Sequence, residues 1–273
     1  MPLSLTDFLS QRTLLLDGAM GSTLQTIELD IEKDYLGREN CVDLLVRSRP
    51  ELVQSIHEGF LEAGSDAVET NTFGANKLVF GEFDEELIGW TRDINREAAL
   101  VARAACDNHA TEDRPRFVLG SMGPGTKLVT LGQVSWDLML DSYAEQARGL
   151  IDGGVDAFLI ETAQDLLQVK CAINACLLAL DEAGLTIDDI PIMVSITIET
   201  TGTMLLGAET AAAVTALRPF PILSLGLNCA TGPVEMADHI EFFREHWDRH
   251  ISVMPNAGPV SYTHLTLPTI CSV

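Results

Sequence analysis

Carboxylates, amides and one thiol end the apolar runs of this sequence, at the positions where buried strands would stop. Asp17, Glu161 and Cys229 are the three with the clearest chemistry. A carboxylate can bind a cation or move a proton, and a thiolate can act as a nucleophile or as a soft metal ligand. Each also has a structural alternative, because Asp and Asn cap helices and buried free cysteines are usually inert packing.

A glycine-containing turn, DGAMGS, surrounds Asp17. The small residues Gly18 and Ala19 let a ligand approach the backbone closely, and their N–H groups could hold a carboxylate. A tight turn between a strand and a helix explains the same residues equally well. Both interpretations stay open at this point.

Seven apolar runs, each followed by a polar turn, alternate with amphipathic segments. The runs are residues 14–19, 66–73, 117–122, 157–162, 192–198, 223–229 and 251–256. They are apolar or β-branched throughout, which is typical of parallel strands covered on both faces. Between them, residues 50–63 and 165–183 show helical stripes that stop at glycines. His57, on the first of these helices, is expected to be solvated or to have a capping role.

Strand–helix units in strict alternation predict an α/β protein. A barrel is favoured over a doubly wound sheet because no GxGxxG fingerprint follows the first run. The sequence therefore predicts a (β/α)₈ TIM-type barrel, apparently lacking its eighth strand because only seven runs occur. Residues 1–259 form this incomplete barrel domain. Residues 260–273 contain no charged side chain and are interpreted as a non-native or disordered tail.

Composition excludes several classes of function. The 273 residues carry 17 Lys and Arg against 40 Asp and Glu, a formal net charge of −23. So acidic a surface repels phosphate backbones and anionic bilayers, and neither nucleic acid nor a membrane is an expected partner. The six cysteines are scattered without CxxC spacing, which is typical of a reduced cytoplasmic protein.

Six segments, in this order, resemble the homocysteine S-methyltransferase family: LLLDGAMGSTLQ, EAGSDAVETNTFGAN, FLIETAQDLLQVK, PIMVSITIETTGTMLLG, LGLNCATGP and VMPNAGP. The resemblance is closest to the branch in which an N-terminal homocysteine-binding module works with cobalamin. It implies that the barrel of residues 1–259 binds homocysteine and that a methyl group is transferred to its thiol, giving methionine. The methyl donor implied is methylcobalamin, with folate and cobalamin modules lying downstream in a longer protein.

The resemblance also implies a zinc site. The family holds one Zn²⁺ on three thiolates, the first from an Asn-Cys motif and the others from an adjacent Cys-Cys pair. Cys229 matches the first ligand, but no adjacent Cys-Cys pair occurs in this sequence. In the family the pair lies in a Gly-Gly-Cys-Cys-Gly stretch, and Cys271 has neither these flanking glycines nor an adjacent cysteine. We therefore expect this chain, as if cut near Pro259, to retain no zinc tightly and to be inactive.

By the same resemblance, Glu161 binds the amino group of homocysteine with Asp17 nearby, and the N–H groups of Gly18 and Ala19 bind its carboxylate. Asn228 orients the site without reacting. Two alternatives remain open. One is a different barrel enzyme that uses Glu161 as a general base, and the other is a non-catalytic barrel fragment.

Overall fold

Six parallel strands form a curled half-barrel in the computed structural model, which describes residues 3–256. Each strand is hydrogen-bonded to its neighbours in the chain, in the order β1 to β6. The strands are β1 (Ala67–Glu69), β2 (Phe117–Met122), β3 (Ala157–Ala163), β4 (Ile192–Ile196), β5 (Ser224–Asn228) and β6 (His250–Met254). The predicted α/β class and parallel sheet are confirmed.

Helices lie between the strands and before the first of them. They are α1 (Leu5–Leu9), α2 (Met20–Leu24), α3 (Leu45–Ser48), α4 (Pro50–Ala63), α5 (Lys77–Phe83), α6 (Glu85–Ile88), α7 (Thr91–His109), α8 (Trp136–Gly153), α9 (Leu166–Ala183), α10 (Thr210–Leu217) and α11 (Pro233–His246). Both helices predicted from punctuation are confirmed: α4 begins at Pro50 and stops at Gly64, and α9 is capped by Asp165 and stops at Gly184. None of the helices in residues 3–256 has the length and apolar character needed to cross a bilayer.

The prediction of a first strand at residues 14–19 is wrong. This segment lies beside β1, where the N–H groups of Asp66 and Ala67 both donate to the carbonyl of Leu15, at 2.7 and 3.2 Å. A regular ladder does not continue, because the carboxylate of Asp17 accepts the next strand N–H, from Glu69, at 3.1 Å. A side chain thus replaces the backbone acceptor. The described residues therefore hold six strands rather than seven.

Two aspartates, each just before a strand, accept a backbone N–H from the neighbouring chain segment in the same way. The Oδ2 atom of Asp66, just before β1, accepts the N–H of Leu15 at 3.1 Å. The Oδ2 atom of Asp156, just before β3, accepts the N–H of Val118 in β2 at 2.7 Å. Each carboxylate anchors the chain segment beside its own strand, which explains the similar stretches AGSDAVET and GGVDAFLIET.

The sheet register defines what faces the inside of the half-barrel, since residues paired across neighbouring strands point to the same side. Ala67 pairs with Phe117, Leu119 with Ala157, and Leu159 with Met193. These apolar side chains form one buried cluster with Leu5 and Phe8 of α1. Two residues further along β1 to β4, the inward side chains become polar, and Asn228 ends β5 on the same side: the set is Glu69, Ser121, Glu161, Ser195 and Asn228. We call these five residues the polar layer.

Some predictions concern residues outside the described part of the chain. These are the tail at 260–273, the end of the domain at residue 259 and any eighth strand.

His57 was expected to be solvated or to have a capping role, and that prediction is wrong. Its side chain is fully buried on α4, and neither ring nitrogen has a hydrogen-bond partner in the described part of the chain.

Candidate active site

The carboxyl ends of the strands bring Asp17 against the polar layer. Its Oδ2 atom accepts the N–H of Glu69, and its Oδ1 atom is buried without a hydrogen-bond partner among residues 3–256. Burial raises the pKa of Asp17 well above its usual value and the charge of Glu161 raises it further, although the bond from Glu69 opposes both effects. Asp17 is therefore a poorly solvated acid with one oxygen free for a ligand.

Glu69 is a second such acid. Its Oε1 atom is buried and finds no hydrogen-bond partner in the described part of the chain. Burial raises the pKa of Glu69 well above the usual value, and the charges of Glu161, Asp17 and Cys229 raise it further. All four groups therefore lie near enough to influence one another.

Glu161 is the third acid, and its residue is only 8% exposed. The hydroxyl of Ser121, from the neighbouring strand β2, donates to its Oε1 atom. Burial raises the pKa of Glu161 to about 7, against the lowering effect of that hydrogen bond. No Lys or Arg among the described residues lowers the pKa of any of the three acids. Such a cluster is suited to binding a cation that neutralises it.

Asn228 joins the ends of β3 and β5. Its Oδ1 atom accepts the N–H of Thr162 at 2.8 Å, and its Nδ2 group donates to the hydroxyl of Thr162 at 2.7 Å and to the sulfur of Cys229 at 3.3 Å. Thr162, Cys229 and Ala230 all have left-handed backbones, with φ of 53°, 55° and 56°. Non-glycine residues adopt this conformation at a cost, which is common at functional sites. Asn228 holds two of these strained residues in place.

The thiol of Cys229 is partly exposed at this end of the half-barrel. Burial and the charge of Glu161 raise its pKa, while hydrogen bonds from Thr162 and Asn228 lower it. The N–H of Cys229 donates to the carbonyl of Met254 at 3.1 Å, which ties the thiol to the end of β6.

Gly18 and Ala19 lie between Asp17 and α2. A Cβ atom on Gly18 would approach the ring of Phe60 to 2.8 Å, so glycine is needed for this close packing. Ala19 is the N-cap of α2 and its side chain cannot accept a hydrogen bond from the helix. The first N–H groups of α2 therefore lack a side-chain cap beside the carboxyl cluster.

The profile of the homocysteine S-methyltransferase family matches residues 14–268. The chain belongs to this family. It is 47% identical over 254 residues to a methionine synthase of Mycobacterium tuberculosis and 46% identical to one of Mycobacterium leprae. These alignments cover 93% of this chain and only 21% of each relative, so the chain spans about a fifth of the length of these relatives.

Solved structures of this homocysteine S-methyltransferase family share the fold. The metallated form of the homocysteine methyltransferase MmuM from Escherichia coli superposes with a TM-score of 0.71 at 19% identity, over 93% of this chain and 88% of that one. Its apo form gives a TM-score of 0.68 at 18% identity. The predicted α/β fold with a barrel-like sheet is thereby supported.

The described residues do not supply the zinc site that the resemblance implies. Within residues 3–256, no group of three or more His, Cys, Asp or Glu side chains is arranged to hold a metal ion. Cys229 is the one described cysteine at the site, because Cys41, Cys106, Cys171 and Cys176 are fully buried in the apolar clusters. The described residues therefore do not fit a zinc ion.

The structure brings together all the residues singled out from the sequence: Asp17, Gly18, Ala19, Glu161, Asn228 and Cys229. Sequence reasoning assigned no role to Ser121, which donates to Glu161, or to Thr162, which donates one hydrogen bond to Asn228 and accepts another from it. Glu69 lies within the predicted run of residues 66–73 and was given no role. Strand parity could have found two of them, because Glu69 and Ser121 lie two residues beyond inward apolar residues, as Glu161 does.

Proposed function

We propose that this chain is a homocysteine-binding module that prepares the homocysteine thiol for methylation to methionine. The observation that carries the proposal is a cluster of three carboxyl groups, from the buried Glu161 and the partly buried Asp17 and Glu69, beside the thiol-bearing end of β5. Two of its oxygens lack partners in residues 3–256, and no basic residue compensates its charge. The ammonium group of an amino acid would supply both donors and charge.

In this arrangement, Glu161 accepts a hydrogen bond from the substrate ammonium, with the free Oδ1 atom of Asp17 beside it. The substrate carboxylate binds the backbone N–H groups around Gly18 and Ala19, at the start of α2, where no side chain caps the helix. Asn228 keeps Thr162 and Cys229 in position and takes no part in bond making. The substrate sulfur then lies toward Cys229.

Zinc dependence, the methyl donor and the activity of this chain also belong to the proposal. Cys229 would supply one of three zinc thiolates, and because the described residues do not supply the other two, we propose that the chain as written is inactive. The similarity to methionine synthases about five times its length supports methylcobalamin as the donor, carried with folate by other modules. The scattered cysteines support a cytoplasmic location.

The test is the binding of L-homocysteine to the 273-residue chain, measured by calorimetry under reducing conditions. Glu161→Gln should weaken binding by about 1.5–3 kcal/mol, the loss of a charge-assisted hydrogen bond, which is roughly 10- to 150-fold in Kd. Glu62→Gln, at an exposed position of α4, is the matched control and should bind normally. Unchanged affinity in Glu161→Gln would remove Glu161 from the amino-group role. A wild-type chain that does not bind homocysteine would favour the non-catalytic fragment.

A further inference from the structure

Glu69 differs from the other acids of the site in how it is held. Its backbone N–H anchors Asp17, at 3.1 Å, while its own Oε1 atom is buried and unpartnered among residues 3–256. The pairing of Glu69 with Leu119 places its side chain on the inner side of the sheet, in the polar layer with Ser121 and Glu161. The side chain therefore packs in the interior of the half-barrel without satisfying its own hydrogen-bonding capacity.

A structural role does not explain this side chain. A buried carboxyl group without a hydrogen bond is destabilising, and neighbouring acids increase the cost. The charges of Glu161 and Asp17 both act on Glu69, and no Lys or Arg among the described residues relieves it. The anchoring of Asp17 uses only the backbone of residue 69, so that function does not need a carboxylate. The carboxyl group is thus free to act on a ligand.

The number of acids that offer a free acceptor matches one kind of ligand group. A primary ammonium has three N–H donors. Each of three acids offers at least one carboxylate oxygen without a hydrogen bond in residues 3–256: the Oδ1 atom of Asp17, the Oε1 atom of Glu69, and the oxygen of Glu161 that Ser121 does not bind. Three acceptors on three different residues can enclose three donors, whereas a methylated amine offers fewer donors and more bulk.

We propose that Glu69 is a substrate-binding residue that accepts the third hydrogen bond of the homocysteine ammonium group and so selects an unsubstituted primary amine. This inference rests on the proposed function and extends it to a residue outside the Asp17–Glu161 pair. It defines the substrate class as thiol amino acids with a free primary amino group. N-Methylated homocysteine is excluded because a methyl group would take the place of a donor facing Glu69.

The experiment compares three ligands on the 273-residue chain by calorimetry: L-homocysteine, N-methylhomocysteine and 4-mercaptobutyrate, which lacks the amino group. Glu69→Gln keeps an acceptor and removes the charge, and Glu69→Leu removes both. Both variants leave the N–H that anchors Asp17 intact. We expect homocysteine binding to weaken about 10-fold or more in Glu69→Gln and further in Glu69→Leu, whereas 4-mercaptobutyrate binding should not weaken. The preference for homocysteine over N-methylhomocysteine should shrink in both variants.

Thermal unfolding of the ligand-free variants separates binding from folding. Because the buried carboxyl group is costly in the empty site, Glu69→Gln should unfold at the same temperature as wild type or higher. Wild-type affinity for homocysteine in both variants would overturn the role of Glu69 and leave the proposed function intact. Equal weakening of homocysteine and 4-mercaptobutyrate would also overturn it, since the effect would not depend on the amine. Failure of the wild-type chain to bind homocysteine would overturn the proposed function itself.

Discussion

The side-chain amide of Asn228 on β5 binds Thr162 on β3 twice: its Oδ1 atom accepts the N–H of Thr162 at 2.8 Å, and its Nδ2 group donates to the Thr162 hydroxyl at 2.7 Å. This pairing fixes a threonine in the left-handed region, at a φ of 53°, where a β-branched residue is strained. The same amide donates to the sulfur of Cys229. One buried side chain thus sets the backbone beside Glu161 and the environment of the thiol together.

Asn228→Ala should lower the free energy of unfolding by about 2–3 kcal/mol, since it removes two buried hydrogen bonds and leaves the N–H of Thr162 unpaired. It should also raise the pKa of Cys229, because the bond from Asn228 lowers that pKa. Urea unfolding measures the first effect, and the pH profile of Cys229 alkylation, resolved by peptide mass spectrometry, measures the second. Asn174→Ala, at an exposed position on α9, is the control. An unchanged alkylation profile would contradict the assignment.

Gly18→Ala should disturb the turn that we propose binds substrate, because its Cβ atom would meet the Phe60 ring at 2.8 Å. Overpacking of this kind costs about 1–3 kcal/mol, and the displacement of Asp17 should also weaken homocysteine binding. Gly21→Ala is a matched control, since nothing lies within 4 Å of its Cβ position. Urea unfolding and calorimetric titration of both variants test the prediction. Equal behaviour of the two would show that the turn accommodates the extra atom.

The strands from residue 117 onward were predictable within about two residues, because burial on both faces leaves nearly continuous apolar runs such as Phe117–Met122. The convergence of Asp17, Glu161 and Cys229 was equally predictable, since parallel strands end at the same edge of a barrel. The first strand could not be predicted correctly. Its apolar run is genuine, but Asp17 takes the N–H of Glu69 with its side chain, and no pattern of hydrophobicity encodes that exchange.

The side chains that contact Glu161 inside the half-barrel were harder to predict, because these contacts depend on the register between strands. Ser121 meets Glu161 because Ser121 pairs with Leu159, two residues earlier on β3. The burial of His57 has the same kind of cause. Its neighbours Val53, Ile56, Phe60 and Leu61 show that α4 buries a wide surface, which extends further round the helix than the apolar stripe alone indicates.

His57 should make the stability of the fold depend on pH. Burial without a hydrogen-bond partner lowers the pKa of His57 from 6.5 to about 4. Between these two pH values, His57 is therefore protonated in the unfolded chain and neutral in the folded chain. The stabilising effect is present above pH 6.5 and is lost as the pH falls toward 4. Between pH 7.5 and 4.5 this loss is roughly 2 kcal/mol.

The measurement is the difference in free energy of unfolding between His57→Leu and wild type, by urea titration at both pH values. The difference should shift in favour of the variant by roughly 2 kcal/mol at pH 4.5. Taking the difference cancels the contribution of the carboxyl groups, which both proteins share. His246→Leu, at an exposed position, is the control for the loss of a histidine elsewhere on the surface. A parallel pH dependence of wild type and His57→Leu would mean that His57 is protonated or solvated in the folded protein.

The last prediction is that the 273-residue chain, purified and dialysed, contains much less than one zinc ion per molecule. A catalytic zinc site takes three ligands from the protein, and Cys229 is the one thiolate that the described residues bring to the site. The carboxyl groups of the site do not substitute for thiolates, because within residues 3–256 they are not arranged with other ligands to hold a metal ion. Elemental analysis of the wild-type chain and of Cys229→Ser should therefore give the same low zinc content. Near-stoichiometric zinc that survives dialysis and is lost in Cys229→Ser would show that ligands outside residues 3–256 complete the site.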